Sequence, residues 1–311
     1  MESPAVHATL QQLRLFEAVA RLGSVTRAAA EVHLTQPAVS IQVKRLEAQV
    51  GMPLLESVGR TLRPTPAGHE VLAAGRDILG RMESLEAALD GLRGDVAGPL
   101  RVAAVTTAKY FMPHLMGAFL KRHPKVRPVL SVINRANLLE RLAGQQDDLF
   151  ITGRVPGALP VAADPFLDNV IVPVARPDHR LVGRAQVPMA ELAAERILKR
   201  ELGSGTRSAV EQAFEAEGLR PPPFMELGSD EAIKQAVMAG LGIACLSTHC
   251  IAAEVAAGRL VALDVAGFPL VRQWFAVRRA GRALPGTASA FLDFLRDEGA
   301  AVLGGKARPP A

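Results

Sequence analysis

Residues 25–44 read Val-Thr-Arg-Ala-Ala-Ala-Glu-Val-His-Leu-Thr-Gln-Pro-Ala-Val-Ser-Ile-Gln-Val-Lys. Ser24, just before the stretch, and Thr35, inside it, are N-cap residue types, so the spacing predicts two short helices joined by Val32-His-Leu-Thr35. Pro37 is tolerated in the first turn of the second helix, where its missing N–H has no intrahelical partner to lose. Ala28, Ala29 and Val32 are small enough for close packing. On a helical wheel Val39, Val43, Leu46 and Val50 share the face that should turn inward. The opposite face centres on Pro37, Ile41 and Lys44, flanked by Gln36, Ala38 and Ser40. That face is small and polar at its N-terminal end, which suits a duplex major groove ~12 Å wide. Glutamine can pair with adenine, and Ile41 can touch a thymine methyl. A plain helical hairpin with a solvated face fits the same pattern.

The flanks extend the reading. Thr9-Leu-Gln-Gln12 has capping-box form, and Leu10, Leu13, Phe16 and Ala20 keep helical spacing up to Gly23. Gly51-Met-Pro53 stops the recognition-like helix, and the Val58-Gly-Arg60 turn between two apolar arms predicts a small hairpin over 54–65. From Thr65 to Arg93 the residues Val71, Gly75, Ile78, Met82, Leu85, Leu89 and Leu92 follow a heptad. This is either a dimerising seam or a long helix lying on its own domain; flanking charges and no evident second apolar face favour the seam. Residues 94–99 form a hinge. Beyond Gly98, β-rich runs at 100–105, 126–132, 149–152, 170–175, 196–200, 224–227, 243–247, 260–265 and 273–278 alternate with helical ones. Such alternation implies an open α/β sheet with ligands beyond the strand ends. The tail 304–311 is expected to be disordered.

Composition narrows the class. The chain has 311 residues, 49% apolar and 22% charged, which is enough for about two domains and argues against global disorder. No apolar run approaches the ~18 residues of a membrane span. The first residues carry an early acid and no basic start ahead of an apolar core, so no export signal is expected. Two cysteines are too few for a disulfide framework, which makes a reducing cytoplasm the expected location. A net charge of +5 is compatible with a nucleic-acid partner without requiring one.

The ordered set Phe16, Gly23-Ser24, Ala28-Ala29, Leu34-Thr-Gln-Pro-Ala38, Ser40, Leu46-Glu47, Gly51, Pro53-Leu54, Gly59-Arg60, Thr65 and Ala67-Gly68 resembles the winged helix-turn-helix of LysR-type transcriptional regulators. The resemblance covers essentially the whole chain. It implies an α/β fold of three parts: a DNA-binding domain at 8–65, a linker and dimerisation helix with hinge at 66–97, and a periplasmic-binding-protein-like effector domain at 98–303. The effector domain would have one lobe at 98–168 plus 272–303 and another at 169–271. Gln36, Pro37, Ala38, Ser40 and Ile41 would lie at base edges or nearby backbone, although many members carry an arginine where Ile41 stands. Arg60 would reach the minor groove, whose narrow form concentrates negative potential. Lys44, Arg45 and Arg63 would neutralise phosphates. Partners would be double-stranded promoter DNA and further copies of the chain, as a homodimer or homotetramer, with no membrane and no cofactor.

The effector domain is similar to CbbR-like regulators of Calvin-cycle (Rubisco) operons in Asn134–Leu142, Asp147–Arg154, Arg200–Arg207, Met225–Val237 and Gly267–Trp274. That subgroup senses sugar phosphates, phospho-acids or NADPH. A small anionic effector also follows from the residues. Thr106 and Thr107 follow a strand and precede a helix; Ser204, Gly205, Thr206 and Arg207 start another with a guanidinium added; Asn134, Arg135 and Arg154 lie at strand ends of the first lobe. Helix capping alone would account for the hydroxyl residues taken singly. An enzyme is disfavoured, since GxSxG, Walker-lysine and HExxH patterns are missing, and His249, Cys245 and Cys250 fit a core better than a metal site.

Overall fold

The computed structural model describes residues 7–59, 61–92, 96–281 and 283–304. They form two compact units, residues 1–92 and 93–311. No helix among the described residues is long and apolar enough to cross a membrane.

The first unit begins with α1 (Leu10–Leu22), α2 (Val25–Glu31) and α3 (Gln36–Val50). Each starts on the cap its sequence supplies: Thr9 in a reciprocal box with Gln12, Ser24 accepting from the Arg27 amide, and Thr35 accepting from the Ala38 amide. Phe16, Val19, Ala28, Val39 and Leu46 are buried together, so three short amphipathic helices stabilise one another around a shared core. The hairpin follows, with β1 (Leu55–Val58) antiparallel to β2 (Thr61–Pro64). Glu47 fixes it to α3 by accepting from the amides of Leu54 at 2.9 Å and Leu55 at 3.2 Å.

The long α4 (Pro66–Leu92) corrects the heptad reading at its start. Leu72 is buried with α1, Val71 and Leu79 pack beside it, and a Cβ on Gly75 would stand 3.3 Å from Leu13 Cδ2. The helix therefore has a second apolar face, which the heptad count hid because Val71 and Gly75 fall on both patterns. Ile78, Leu85 (52% exposed) and Leu89 remain outward.

In the second unit a single twisted sheet carries β3 (Gly98–Val105), β4 (Val126–Ile133), β5 (Leu149–Thr152), β6 (Val161–Ala175), β7 (Ile197–Arg200), β8 (Met225–Leu227), β9 (Ile243–Ser247), β10 (Val261–Ala262) and β11 (Leu270–Arg279). Its order is β4-β3-β5-β11-β6-β9-β7-β8, with β10 paired to β6. The helices are α5 (Met112–Arg122), α6 (Arg135–Ala143), α7 (Met189–Ala193), α8 (Gly205–Ala216), α9 (Asp230–Met238), α10 (Thr248–Ala256) and α11 (Gly286–Val302). One set of cores draws on residues 100–166 and 274–295, the other on 171–270.

The long antiparallel pair β6–β11 runs through both halves of the sheet, with a bulge between Trp274 and Phe275. Sequence showed only 170–175 of β6, because Asp164, Pro165, Asp168 and Asn169 interrupt the apolar run; pairing with β11 overrides the local preference. The run 260–265 pairs only at Val261–Ala262, with one further bridge at Val265, and the short α7 had no visible signal. Residues 106–107 open a five-residue 3-10 turn, Thr106–Tyr110, instead of an α-helix, and α5 begins only at Met112.

A buried ion pair fastens the two halves where this turn meets β7. Arg200 (4% exposed) pairs with Asp230 (1% exposed) and with Glu201, and donates to Thr106 Oγ1 at 3.0 Å. Thr107 completes the bridge by donating to Asp230 Oδ2 at 2.8 Å.

Two substitutions test this architecture. A Cβ at Gly68 would lie 2.0 Å from the Leu54 carbonyl oxygen, so Gly68→Ala should destabilise the first unit by ~2–4 kcal/mol in urea unfolding. Asp230→Asn leaves the Arg200 guanidinium undercompensated and should cost the second unit ~3 kcal/mol by the same measurement.

Candidate functional site

The recognition-like surface lies on α3. Its inward residues Val39, Val43 and Leu46 are buried, as their spacing requires, leaving Gln36, Pro37, Ile41, Lys44 and Arg45 exposed and Ala38 and Ser40 half-buried. Ile41 is 51% exposed, an apolar side chain held in solvent at the centre of a polar face. Arg63 is exposed on β2. The turn before α3 places His33 at φ 55°, the left-handed conformation that lets α2 and α3 cross within four residues. Arg60 lies outside the described residues.

In the second unit a cleft of about 150 Å³ opens between the two halves of the sheet. Of the residues picked out by sequence, Thr106, Thr107, Arg135, Arg154, Ser204, Gly205 and Thr206 line it. Arg135 and Arg154 are neighbours: the Arg135 guanidinium donates to Thr152 Oγ1 at 3.1 Å and to the Arg154 carbonyl at 2.9 Å. Burial, and then the positive charge of Arg154, push the Arg135 guanidinium below its ordinary pKa. Arg154 reaches across to Ser208 Oγ at 3.2 Å. Neither guanidinium has a carboxylate partner among the described residues. Ser204 caps α8 through the Arg207 amide, which leaves the first amides of that twelve-residue helix, those of the cleft-lining Gly205 and Thr206, without an intrahelical partner.

Two expected ligands fall elsewhere. Arg207 does not line the cleft; it is held by Glu211 at 2.9 Å and by Glu226, and it donates to the Arg200 carbonyl at 2.8 Å. Burial works against its charge, but those two carboxylates outweigh it and keep the guanidinium above its ordinary value. The N-terminal position of Arg207 on α8 suggested an anion ligand, yet its side chain turns toward β7 and β8. Asn134 is spent on capping α6, its Oδ1 accepting from the Asn137 amide at 2.9 Å.

The cleft also holds residues that sequence reasoning passed over: Thr152, Asn169, Arg200, Ser208, Gln212 and Arg272. Arg200 and Arg272 sit inside segments already singled out, but spacing alone did not say that their side chains converge. Arg200 is saturated by acids; burial opposes its charge, while Glu201 and Asp230 together raise it above its ordinary value. Arg272 donates to Gln212 Oε1 at 3.4 Å and has no carboxylate partner among the described residues. Among the described residues no cluster of histidine, cysteine and carboxylate could hold a metal. His249 instead hydrogen-bonds the Asp168 carbonyl and packs on Phe111, and the Cys250 thiol donates to the Ser247 carbonyl.

Comparison with known proteins agrees with both units. Residues 10–69 match the bacterial regulatory helix-turn-helix proteins of the lysR family, and residues 93–300 match the LysR substrate binding domain. The RuBisCO operon transcriptional regulator of Acidithiobacillus ferrooxidans is 47% identical over 93% of this chain and 94% of its own length. The HTH-type transcriptional regulator CbbR of Xanthobacter flavus is 43% identical, covering 96% of this chain and 90% of that protein. The regulatory domain of CcmR from Synechocystis PCC6803, solved in complex with 2-PG, is 41% identical with a TM-score of 0.62, covering 64% of this chain and 96% of that one. These relatives are regulators or parts of regulators, and none is an enzyme. With an N-terminal helix-turn-helix, a cleft between two α/β halves and relatives of this identity over nearly its full length, the chain belongs to the LysR family of DNA-binding transcriptional regulators and is homologous to the regulators of RuBisCO operons.

Proposed function

We propose that this chain controls carbon-fixation genes of the Calvin cycle in response to a compact phosphorylated acid bound in the cleft. One observation carries the reading: Arg135 and Arg154 converge on the cleft with no carboxylate partner among the described residues, facing the amide end of α8. Two neighbouring guanidiniums in a half-buried site repel each other, and an anion between them relieves both while gaining charge-assisted hydrogen bonds. Thr106, Thr107, Ser204, Gly205 and Thr206 supply the neutral rim, with Arg207 and Asn134 outside it. The cleft, about 150 Å³ in volume, has room for a small phospho-acid. The CcmR domain, 41% identical, is a complex with 2-PG, which supports 2-phosphoglycolate as the first molecule to try.

On the DNA side, Gln36, Pro37, Ala38, Ser40 and Ile41 present the edge-reading surface of α3, and Lys44, Arg45 and Arg63 the phosphate-binding one. Arg60 keeps its minor-groove assignment on resemblance alone. The outward stripe Ile78, Leu85 and Leu89 on α4 is the dimer seam of this reading, and two paired copies read an inverted repeat. The effector alters transcription only by binding one arrangement of the assembly more tightly than another.

Titration of the full chain with 2-phosphoglycolate tests the cleft: Arg154→Gln should weaken binding by about tenfold or more, and unchanged affinity would place the anion elsewhere. Lys44→Ala should lower operator affinity uniformly across sequences and reduce the salt slope by about one, whereas Gln36→Ala should change preference at one base pair by ~1–3 kcal/mol. Leu85→Glu should shift the sedimenting species toward monomer, and a variant that remains fully paired removes the seam.

A further inference from the structure

Asn169 stands near the middle of β6, a strand interior where asparagine is ordinarily disfavoured. It is 5% exposed and lines the cleft, yet its Oδ1 is buried without a hydrogen-bond partner among the described residues. Buried carboxamides are otherwise almost always paired, because desolvation without a partner carries a free-energy penalty. Nothing local accounts for it: the residue caps no helix, and the neighbouring Asp168 carbonyl is the one that binds His249. The surroundings keep it available. A Cβ on Gly153 would lie 3.3 Å from Asn169 Nδ2 and 3.7 Å from Trp274, so the glycine leaves the amide uncrowded. Across the strand pair Asn169 faces Arg272, and directly opposed residues share one face of a sheet.

We infer that Asn169 is the specificity-determining residue of the cleft, its Oδ1 accepting from a hydroxyl of the effector while the arginines hold its phosphate. The inference rests on the anion reading above. Guanidiniums treat any phosphate alike, whereas the unpaired Oδ1 is an acceptor and is satisfied by a hydroxyl that donates to it from beside the anion, not by a carboxylate or carbonyl, which only accept. The ligand class is therefore a hydroxyl-bearing organic phosphate, and a phosphate without a hydroxyl leaves Asn169 unpaired. A group that rejects ligands by being left unpaired discriminates more sharply than apolar contact does.

Isothermal titration of the full chain with 2-phosphoglycolate, which has no hydroxyl, and with 3-phosphoglycerate, which has one, decides it. In Asn169→Ala the affinity for 3-phosphoglycerate should fall about tenfold, that for 2-phosphoglycolate should hold, and the unliganded melting temperature should stay or rise, since no protein partner is lost. Asn169→Leu, of similar volume and without hydrogen-bonding groups, should show the same selective loss and keeps the test valid should the alanine variant collapse. Equal losses for both ligands, or an unaltered preference for 3-phosphoglycerate, overturn the role of Asn169 while leaving the anion site intact. Wild-type protein that binds neither ligand overturns the anion reading and this inference with it.

Discussion

A guanidinium with 4% of its surface exposed keeps its charge only if the protein replaces the water it has lost, and Arg200 obtains that replacement from both sides of the cleft. Asp230 and Glu201 supply the counter-charge from its own half of the sheet. Thr106 and Thr107 supply hydroxyl oxygens from the other half, and Thr107 also donates back to Asp230. Desolvating such a pair costs several kcal/mol per ion unless the geometry is good, so the arrangement tolerates little relative displacement. The consequence is a fixed floor. Tyr110, from the same turn, adds a bond to Glu231 at 3.3 Å, and Lys234 lies over its ring at 4.8 Å.

Against that floor the arginines divide by what neutralises them. Arg200 and Arg207 are consumed by carboxylates and serve the architecture; Arg135, Arg154 and Arg272 are not, and they line the cleft. The separation is electrostatic in origin, because a cation already balanced by two acids has little left for a ligand. In the proposed reading, the incoming anion supplies the counter-charge that Arg135 and Arg154 lack, and Asn169 supplies the choice among anions. Coupling to DNA then depends on how the liganded second unit alters the assembly.

Much of the fold was legible because its signals are local. Thr9, Ser24 and Thr35 each cap the helix that their position announced, and Val39, Val43 and Leu46 point inward as 3.6-residue periodicity demands. The strands at 100–105, 126–132 and 149–152 carry β-branched or other apolar runs and emerged close to their expected bounds. Where signals overlapped, reading failed. Val71 and Gly75 satisfy both the heptad and the inward face of α4, and only the packing of Leu13 shows which prevails. Asp164, Asp168 and Asn169 hid the first half of β6, since a strand made by pairing with β11 need not be apolar.

The sequence by itself determined the DNA-reading unit and the family, because caps, periodicity and an ordered motif are properties of neighbours along the chain. It also named part of the cleft, placing Thr106, Arg135, Arg154, Ser204 and Thr206 on segments that come together. Only the tertiary structure decided which arginine faces the cleft and which is locked away, that Asn134 caps a helix, and that Asn169 waits unpaired. Those outcomes depend on side-chain direction and on charges brought from more than ninety residues away, as Arg200 is to Thr106. No spacing rule encodes them, because an ion pair is chosen by distance in space and by the water it excludes.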